Sequence, residues 1–360
     1  MSTVKLGDVA RESRLKWERS KLDVPIVGLE HLIPGEIRFE AYDKNIDNTF
    51  SKKFVKGQVL FGRRRSYQRK AAVAEFDGIC SGDITVIETI GGKMVSELLP
   101  FIIQTPAFFD YANKGSAGSL SPRVKWEHLA DYEFELPSLK EQKVLADKLW
   151  AAYSLKEGYK KLYVATDEMV KSQFIEMFGD PNRAKYPTQK LGDVCCVLNG
   201  RAYSAKELQS EGKYRILRVG NFFSNDSWYY SDMELDDDKY CNHGDLLFAW
   251  SCTLGPQIWQ EEKVIFHYHI WKLEGFEERL DKSFFNEQLR HIAESMKNQT
   301  HGSTMVHITK SQFENVKVII PPLEVQQQFA AIVSQADKSK FELERCIENI
   351  DKVIKSLINS

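Results

Sequence analysis

The chain has 360 residues, 42% hydrophobic and 28% charged, values ordinary for folded globular protein that exclude disordered and fibrous classes. Its 49 basic and 51 acidic side chains give a formal net charge of −2, which excludes a bulk polycation but not a local basic patch. Apolar runs stop at four or five residues, far short of the roughly 20 that a membrane helix needs, and the length suggests two domains.

The pentapeptide Lys5-Leu6-Gly7-Asp8-Val9 opens the pattern. KGQVLFG follows from Lys56 and predicts a short strand ending near Phe61, then a loop. ITVIE (84–88) and EFEL (133–136) read as further strands between Gly and Asp turns. Pro137 opens a segment free of proline from Ser138 to Phe178. There Leu145, Leu149, Ala152, Leu155, Tyr159, Leu162, Met169, Val170, Phe174 and Met177 recur mostly three or four apart, predicting a long helix that Gly179-Asp180-Pro181 stops.

The same series then starts again. Lys190-Leu191-Gly192-Asp193-Val194 repeats the pentapeptide at an offset of 185, HGDLLFA from His243 repeats KGQVLFG at 187, and the segment from Gly302 repeats that from Gly118 at 184. Three collinear matches define two copies of a unit of about 180 residues. The second copy adds an amphipathic helix over 283–298 and a strand VKVII (316–320) before Pro321-Pro322 opens its own long helix. Phe329, Val333, Ala336, Leu343, Ile347, Ile350, Ile354 and Leu357 line that helix, the last five alternating by four and three as in a coiled-coil seam, while Lys340 sits where an apolar residue belongs. Each helix is about 55–60 Å long, and the two apolar seams most simply pack on each other.

With these residues in view, the chain resembles the specificity (S) subunits of type I restriction–modification systems. The carriers are both KLGDV copies, GQVLFG and GDLLFA, the run MVKSQFIEMFGDP (169–181), and GSTMVHITKSQFENVKVIIPPLEVQQQFAAIV from Gly302. The first helix entry, Pro137-Ser138-Leu139-Lys140-Glu141-Gln142, departs by lacking the second proline. The resemblance implies an α+β fold: two mixed α/β target recognition domains separated by a long antiparallel two-helix coiled coil, with a pseudo-twofold internal repeat. The expected boundaries are 1–137 and 181–321 for the recognition domains and 138–180 and 322–360 for the helices. It also implies a non-catalytic subunit of a multisubunit adenine DNA methyltransferase or ATP-dependent type I restriction endonuclease. Its partners would be double-stranded DNA, two modification (methyltransferase) subunits and two restriction (motor-nuclease) subunits. No cofactor is expected in this chain; S-adenosylmethionine belongs to the methyltransferase partner, and ATP and Mg to the restriction partner.

The residues themselves bear on that expectation. KKFVKGQVLFGRRRSYQRK (52–70) holds eight Lys or Arg and no acid. Phosphates attract such a cluster, and arginine also pairs bidentately with guanine. The candidates here are Arg63, Arg64, Arg65, Tyr67, Gln68, Arg69 and Lys70, with Arg123 from the repeated segment; a solvated basic loop is the plain alternative. The matching loop of the second copy, AWSCTLGPQIW, carries no charge; Trp250, Ser251, Thr253 and Gln257 offer base-edge contacts there, while Trp250 and Trp259 equally suit a core. Arg201, Tyr203, Arg215, Arg218, Asn221 and the polar stretch with Ser303, Thr304 and His307 complete the set. Unlike loops predict that the two domains read different sequences.

Other chemistries find little support. His267 and His269 would share one face of a strand, without a Cys or acid at matching spacing to complete a metal site. The run Glu234–Asp238 reads as a solvated turn, and neither a nucleophile elbow nor a glycine-rich phosphate loop is present. No Asp/Asn-Pro-Pro-aromatic motif of an amino-methyltransferase occurs; Pro321-Pro322 lies between Ile320 and Leu323. Six cysteines without a C-x-x-C, and no apolar segment near Met1, fit reduced thiols in a prokaryotic cytoplasm. Two rival readings stay open at this level: a coiled-coil scaffold with an incidental basic loop, and a DNA enzyme acting alone.

Overall fold

The computed structural model describes residues 2–117, 121–179, 185–223, 226–299 and 307–359. The chain divides into two compact units, Met1–Tyr159 with Cys346–Ser360, and Lys160–Arg345. Each long helix therefore contributes one stretch to each unit.

In the first unit a four-stranded antiparallel sheet runs in the order Ala10–Glu12, Ile84–Thr89, Val59–Gly62, Ala71–Val73. A three-stranded sheet orders Ile26–Val27, Gly78–Cys80 and Lys52–Phe54, and a two-stranded ribbon pairs Ser2–Lys5 with Glu133–Leu136. The second unit has the same main sheet: Cys196–Asn199, Ile270–Glu274, Leu246–Ala249, Gly255–Ile258. Its second sheet orders Tyr229–Ser231, Tyr214–Leu217, Val264–Phe266 and Tyr240–Cys241, and its ribbon pairs Thr188–Lys190 with Lys317–Ile319.

The repeated sequence blocks fall on repeated jobs. In VLFG, Val59 and Phe61 enter one core cluster and Leu60 another, so the strand is buried on both faces. In LLFA, Leu246 and Phe248 face one core while Leu247 and Ala249 face the other. Double burial explains why both strands read as continuous apolar runs without alternation. The turn before each strand needs a left-handed residue, and Gly57 (φ 90°) and Gly244 (φ 88°) supply it. In the KLGDV blocks Leu6 and Leu191 are fully buried, and their N–H groups donate to Tyr132 O and Val316 O, both at 2.8 Å. A Cβ on Gly7 would stand 3.0 Å from Ala130 Cβ, and one on Gly192 3.1 Å from Glu314 Cβ, so glycine lets each turn sit on the short helix before the closing strand.

The long helices run Leu139–Phe178 and Leu323–Asn359. The first ends on Gly179 (φ 89°), whose N–H donates to Ile175 O at 2.9 Å. Each is tied to its unit by a buried glutamine in the first turns. Gln142 accepts from Val95 N and donates to Pro137 O, both at 2.9 Å. Gln326 accepts from Asp281 N (2.7 Å) and donates to Pro321 O (2.8 Å) and Arg279 O (3.0 Å).

The helices also meet. In the first unit Lys156 pairs with Asp351 at 2.6 Å, and Ile354, Leu357 and Ile358 pack on the core that contains Leu149 and Tyr153. In the second unit Phe174 and Phe178 pack edge-on to Phe329, each at 5.5 Å. There Lys340, the polar residue in the seam, pairs with Asp167 at 2.6 Å and lies 4.8 Å from the Tyr163 ring. One expectation is corrected: Leu155, Leu162 and Met169 are about half exposed, at 50%, 53% and 44%. The first helix instead buries Ala146, Leu149 and Tyr153 in one unit and Val170, Phe174 and Phe178 in the other, because each stretch follows its own unit's core rather than one unbroken seam.

Candidate nucleic-acid interface

The loop after Val59–Gly62 is a fixed structure. Arg63 N donates to Asp83 O (2.9 Å), Arg64 pairs backbone to backbone with Arg123, and Arg65 N donates to Pro122 O (2.9 Å). A single 3-10 turn, Ser66–Gln68, is flanked by Arg65 (φ 53°) and Arg69 (φ 54°), two left-handed residues that are not glycine. Ser66, buried, anchors the turn: its Oγ donates to Asn113 Oδ1 at 2.7 Å and lies 2.9 Å from Ser116 Oγ.

The cations divide into tied and free. Asp83 accepts from Arg123 Nε at 2.7 Å and from Arg64 Nη1 at 3.2 Å; Arg64 Nη2 donates to Ser121 Oγ at 3.0 Å. Although burial opposes it, hydrogen bonds from Arg123 and Arg64 hold the Asp83 carboxyl below its ordinary value. Arg69 reaches Asp110 (3.4 Å), and Lys70 donates to Leu29 O (2.7 Å). Arg63 Nε is buried without a hydrogen-bond partner. Among the described residues, the side chains of Arg65, Tyr67 and Gln68 make no polar contact, and Tyr67 is 59% exposed.

The second unit builds the same loop from other residues. Trp250 N donates to His269 O at 3.1 Å, as Arg63 does to Asp83. Ser251 pairs with His307, as Arg64 does with Arg123, and Ser251 Oγ lies 3.1 Å from His307 Nδ1. Cys252 (φ 65°) takes the left-handed position of Arg65. Trp250 is partly buried; its ring stacks on Trp271 at 5.5 Å and its Nε1 donates to Tyr268 O at 2.7 Å, whereas Trp259 is core. Thr253 and Gln257 line a cleft of about 440 Å³ with Phe223, Arg290 and Lys297.

The remaining candidates are held by their own unit. Arg201 pairs with Glu207 at 2.6 Å, and that hydrogen bond, with others from Ser204, pulls the Glu207 carboxyl down to about 2. Tyr203 packs on a core cluster with its hydroxyl buried and unpaired. Arg215 pairs with Glu261 (2.8 Å) and covers Trp228; Arg218 lies 4.3 Å from the Tyr229 ring. Arg218 and Asn221 both donate to Ser227 O. Ser303 and Thr304 lie outside the described residues.

His267 and His269 stand in a tight turn between strands, not within one, with ring centroids 4.7 Å apart. Burial, then His269 and Arg218, lower His267 to about 4, and burial and His307 lower His269, so the cluster favours neutral imidazoles. Among the described residues only Glu30, His31 and Asp43 cluster at metal-ligand spacing. The fit is poor. His31 Nδ1 accepts from Gly28 N at 2.9 Å, which leaves the ring proton on Nε2, facing Asp43 at 3.4 Å. A metal on Nε2 would force that proton onto Nδ1, against the Gly28 N–H.

Asp83 and Tyr268 were not among the residues singled out from sequence, and His269 was weighed there only as a metal ligand. Asp83 sits in a Ser81-Gly82-Asp83 turn that reads as ordinary solvated loop; its equivalence to His269 emerges only from the backbone pairing.

This duplicated α/β unit, with one long helix per copy and unlike loops at one shared position, has counterparts among known proteins. The family model for the type I restriction modification DNA specificity domain matches residues 184–352. The type I restriction enzyme MjaVIII specificity subunit of Methanocaldococcus jannaschii is 31% identical over 187 residues, covering 51% of this chain and 44% of that protein. The MjaIX specificity subunit of the same organism is 25% identical over 271 residues, 67% of this chain and 62% of that one. The matched stretches thus span less than two thirds of either relative. The S subunit of M. genitalium superposes with a TM-score of 0.57 at 10% identity, covering 99% of this chain and 94% of the other. A chain solved in work on assembly and conformational transition of the type I R-M system gives 0.58 at 17%, covering 99% and 96%; at these identities the likenesses show the fold. Residues 184–352 match the type I restriction modification DNA specificity domain, and the chain is similar over about half or more of its length to type I specificity subunits.

Proposed function

We propose that this chain is the DNA-recognition subunit of a type I restriction–modification enzyme, with each unit reading one half of a bipartite, asymmetric target. The two long helices, as an antiparallel coiled coil, set the half-site spacing and dock two methyltransferase subunits. Those partners bring S-adenosylmethionine and flip out the adenine they methylate; restriction subunits, where they join, bring ATP and Mg. Half-exposed Leu155, Leu162 and Met169, seven residues apart on the first long helix and so on one side of it, support docking there.

The observation that carries this reading is the shared loop. One backbone frame carries Arg64 and Arg123 in one unit and, in the other, an exposed His307 backed by Ser251, which is fully buried and so cannot touch DNA itself as the sequence suggested. Two frames kept and two chemistries exchanged is what reading two different sequences requires.

The test is a domain exchange. With residues 188–320 replaced by the second domain of another S subunit, methylome sequencing of a host that also expresses the methyltransferase partner should report one altered half-site. Two altered half-sites, or an unchanged target, would overturn the modular reading.

A further inference from the structure

We infer that Asp83 makes Arg123 the guanine-reading side chain of the first unit, with Arg64 as a brace; the inference rests on the DNA-recognition reading above. Asp83 is itself immobilised. Its N–H donates to Ser81 Oγ at 3.2 Å, its carbonyl accepts from Arg63, and its side chain is only 19% exposed. It gives one carboxylate oxygen to each arginine, and placed between two like charges it removes most of their repulsion.

The two arginines are left in different states. Arg64 has spent Nη1 on Asp83 and Nη2 on Ser121, which closes its fork. Arg123 has spent only Nε, so the plane of its guanidinium is fixed while Nη1 and Nη2 have no partner among the described residues. A phosphate asks for charge, which Arg65 already offers in the open. A base asks for a fixed plane with two parallel donors, and the Nη1/Nη2 edge matches guanine O6 and N7. In the second unit His269 replaces Asp83 and the paired positions are Ser251 and His307, so no braced guanidinium stands at that place.

The test uses the full chain assembled with its methyltransferase partner and a library of duplexes randomised across the target. Arg123→Lys keeps the charge and loses the fork. Roughly ten- to hundredfold guanine preference should vanish at one position of one half-site, with non-specific affinity and salt dependence retained. Asp83→Asn should relax that same position and leave the other half-site untouched, which a merely structural role would not do. If Arg123→Lys binds with every preference intact, or if Asp83→Asn alters a different position, the inference is wrong. A wild-type first half-site without a preferred guanine overturns it equally. Should Asp83→Asn fail to fold, Arg123→Lys decides alone, since Arg123 lies at the surface. Failure of the wild-type assembly to prefer any sequence would instead remove the DNA-recognition reading itself.

Discussion

Arg65 and Cys252 occupy left-handed backbone at the same place in the two copies. That conformation costs a non-glycine residue about 1 kcal/mol or more. Arg65→Gly should therefore stabilise the protein by about that much in urea unfolding, while weakening DNA affinity and making the salt slope shallower by about one charge. A second residue carries a pH dependence. Burial pushes the Glu287 carboxyl up, Asp167 and Glu294 add repulsion, and Arg290 and Lys171 oppose them. The folded state holds that proton more tightly than the unfolded chain. Its stabilising contribution is complete below the ordinary carboxylate pKa and is lost as pH rises through the elevated value. Glu287→Gln should accordingly unfold at higher temperature than wild type at pH 8, with the difference closing near pH 4. The basic window 52–70 was plain from residue type alone. Which cations are free was not, because Asp83 and Ser121 come from distant loops and Asp110 from the helix Pro106–Lys114, brought together only by the fold.

Elements were the most legible scale. The strand at 133–136 and the long helix ending at Phe178 fall where propensity and the glycine stop put them. The outward turn of Leu155, Leu162 and Met169 was hidden, since spacing alone does not tell which of two cores a long helix serves. The buried glutamines were visible only as part of a motif. Replacing Gln326 by Ala strips partners from Asp281 N–H and from the Pro321 and Arg279 carbonyls. Unsatisfied buried groups of this kind cost about 1–3 kcal/mol, so thermal unfolding should show a loss of that order, and Gln142→Ala a similar one. Val325→Ala, beside Gln326 and only partly buried, is the milder control.

For the whole molecule, duplication was readable from three collinear blocks, whereas sheet order was not, because every central pairing joins segments far apart in sequence. Deleting one heptad from each long helix removes about 10 Å of rod, close to three base pairs of duplex. Methylome sequencing should then report a spacer shortened by that order; an unchanged spacer would deny the helices their part in setting it. The two-stranded ribbons carry a further consequence. Lys5 lies opposite Glu133, and Lys190 opposite Lys317, so each copy's chain enters and leaves side by side. Each head is thus bounded by two joints on a single ribbon, outside both long helices; on the reading proposed above, a gene crossover at those joints would exchange one half of the address on a genome in a single event.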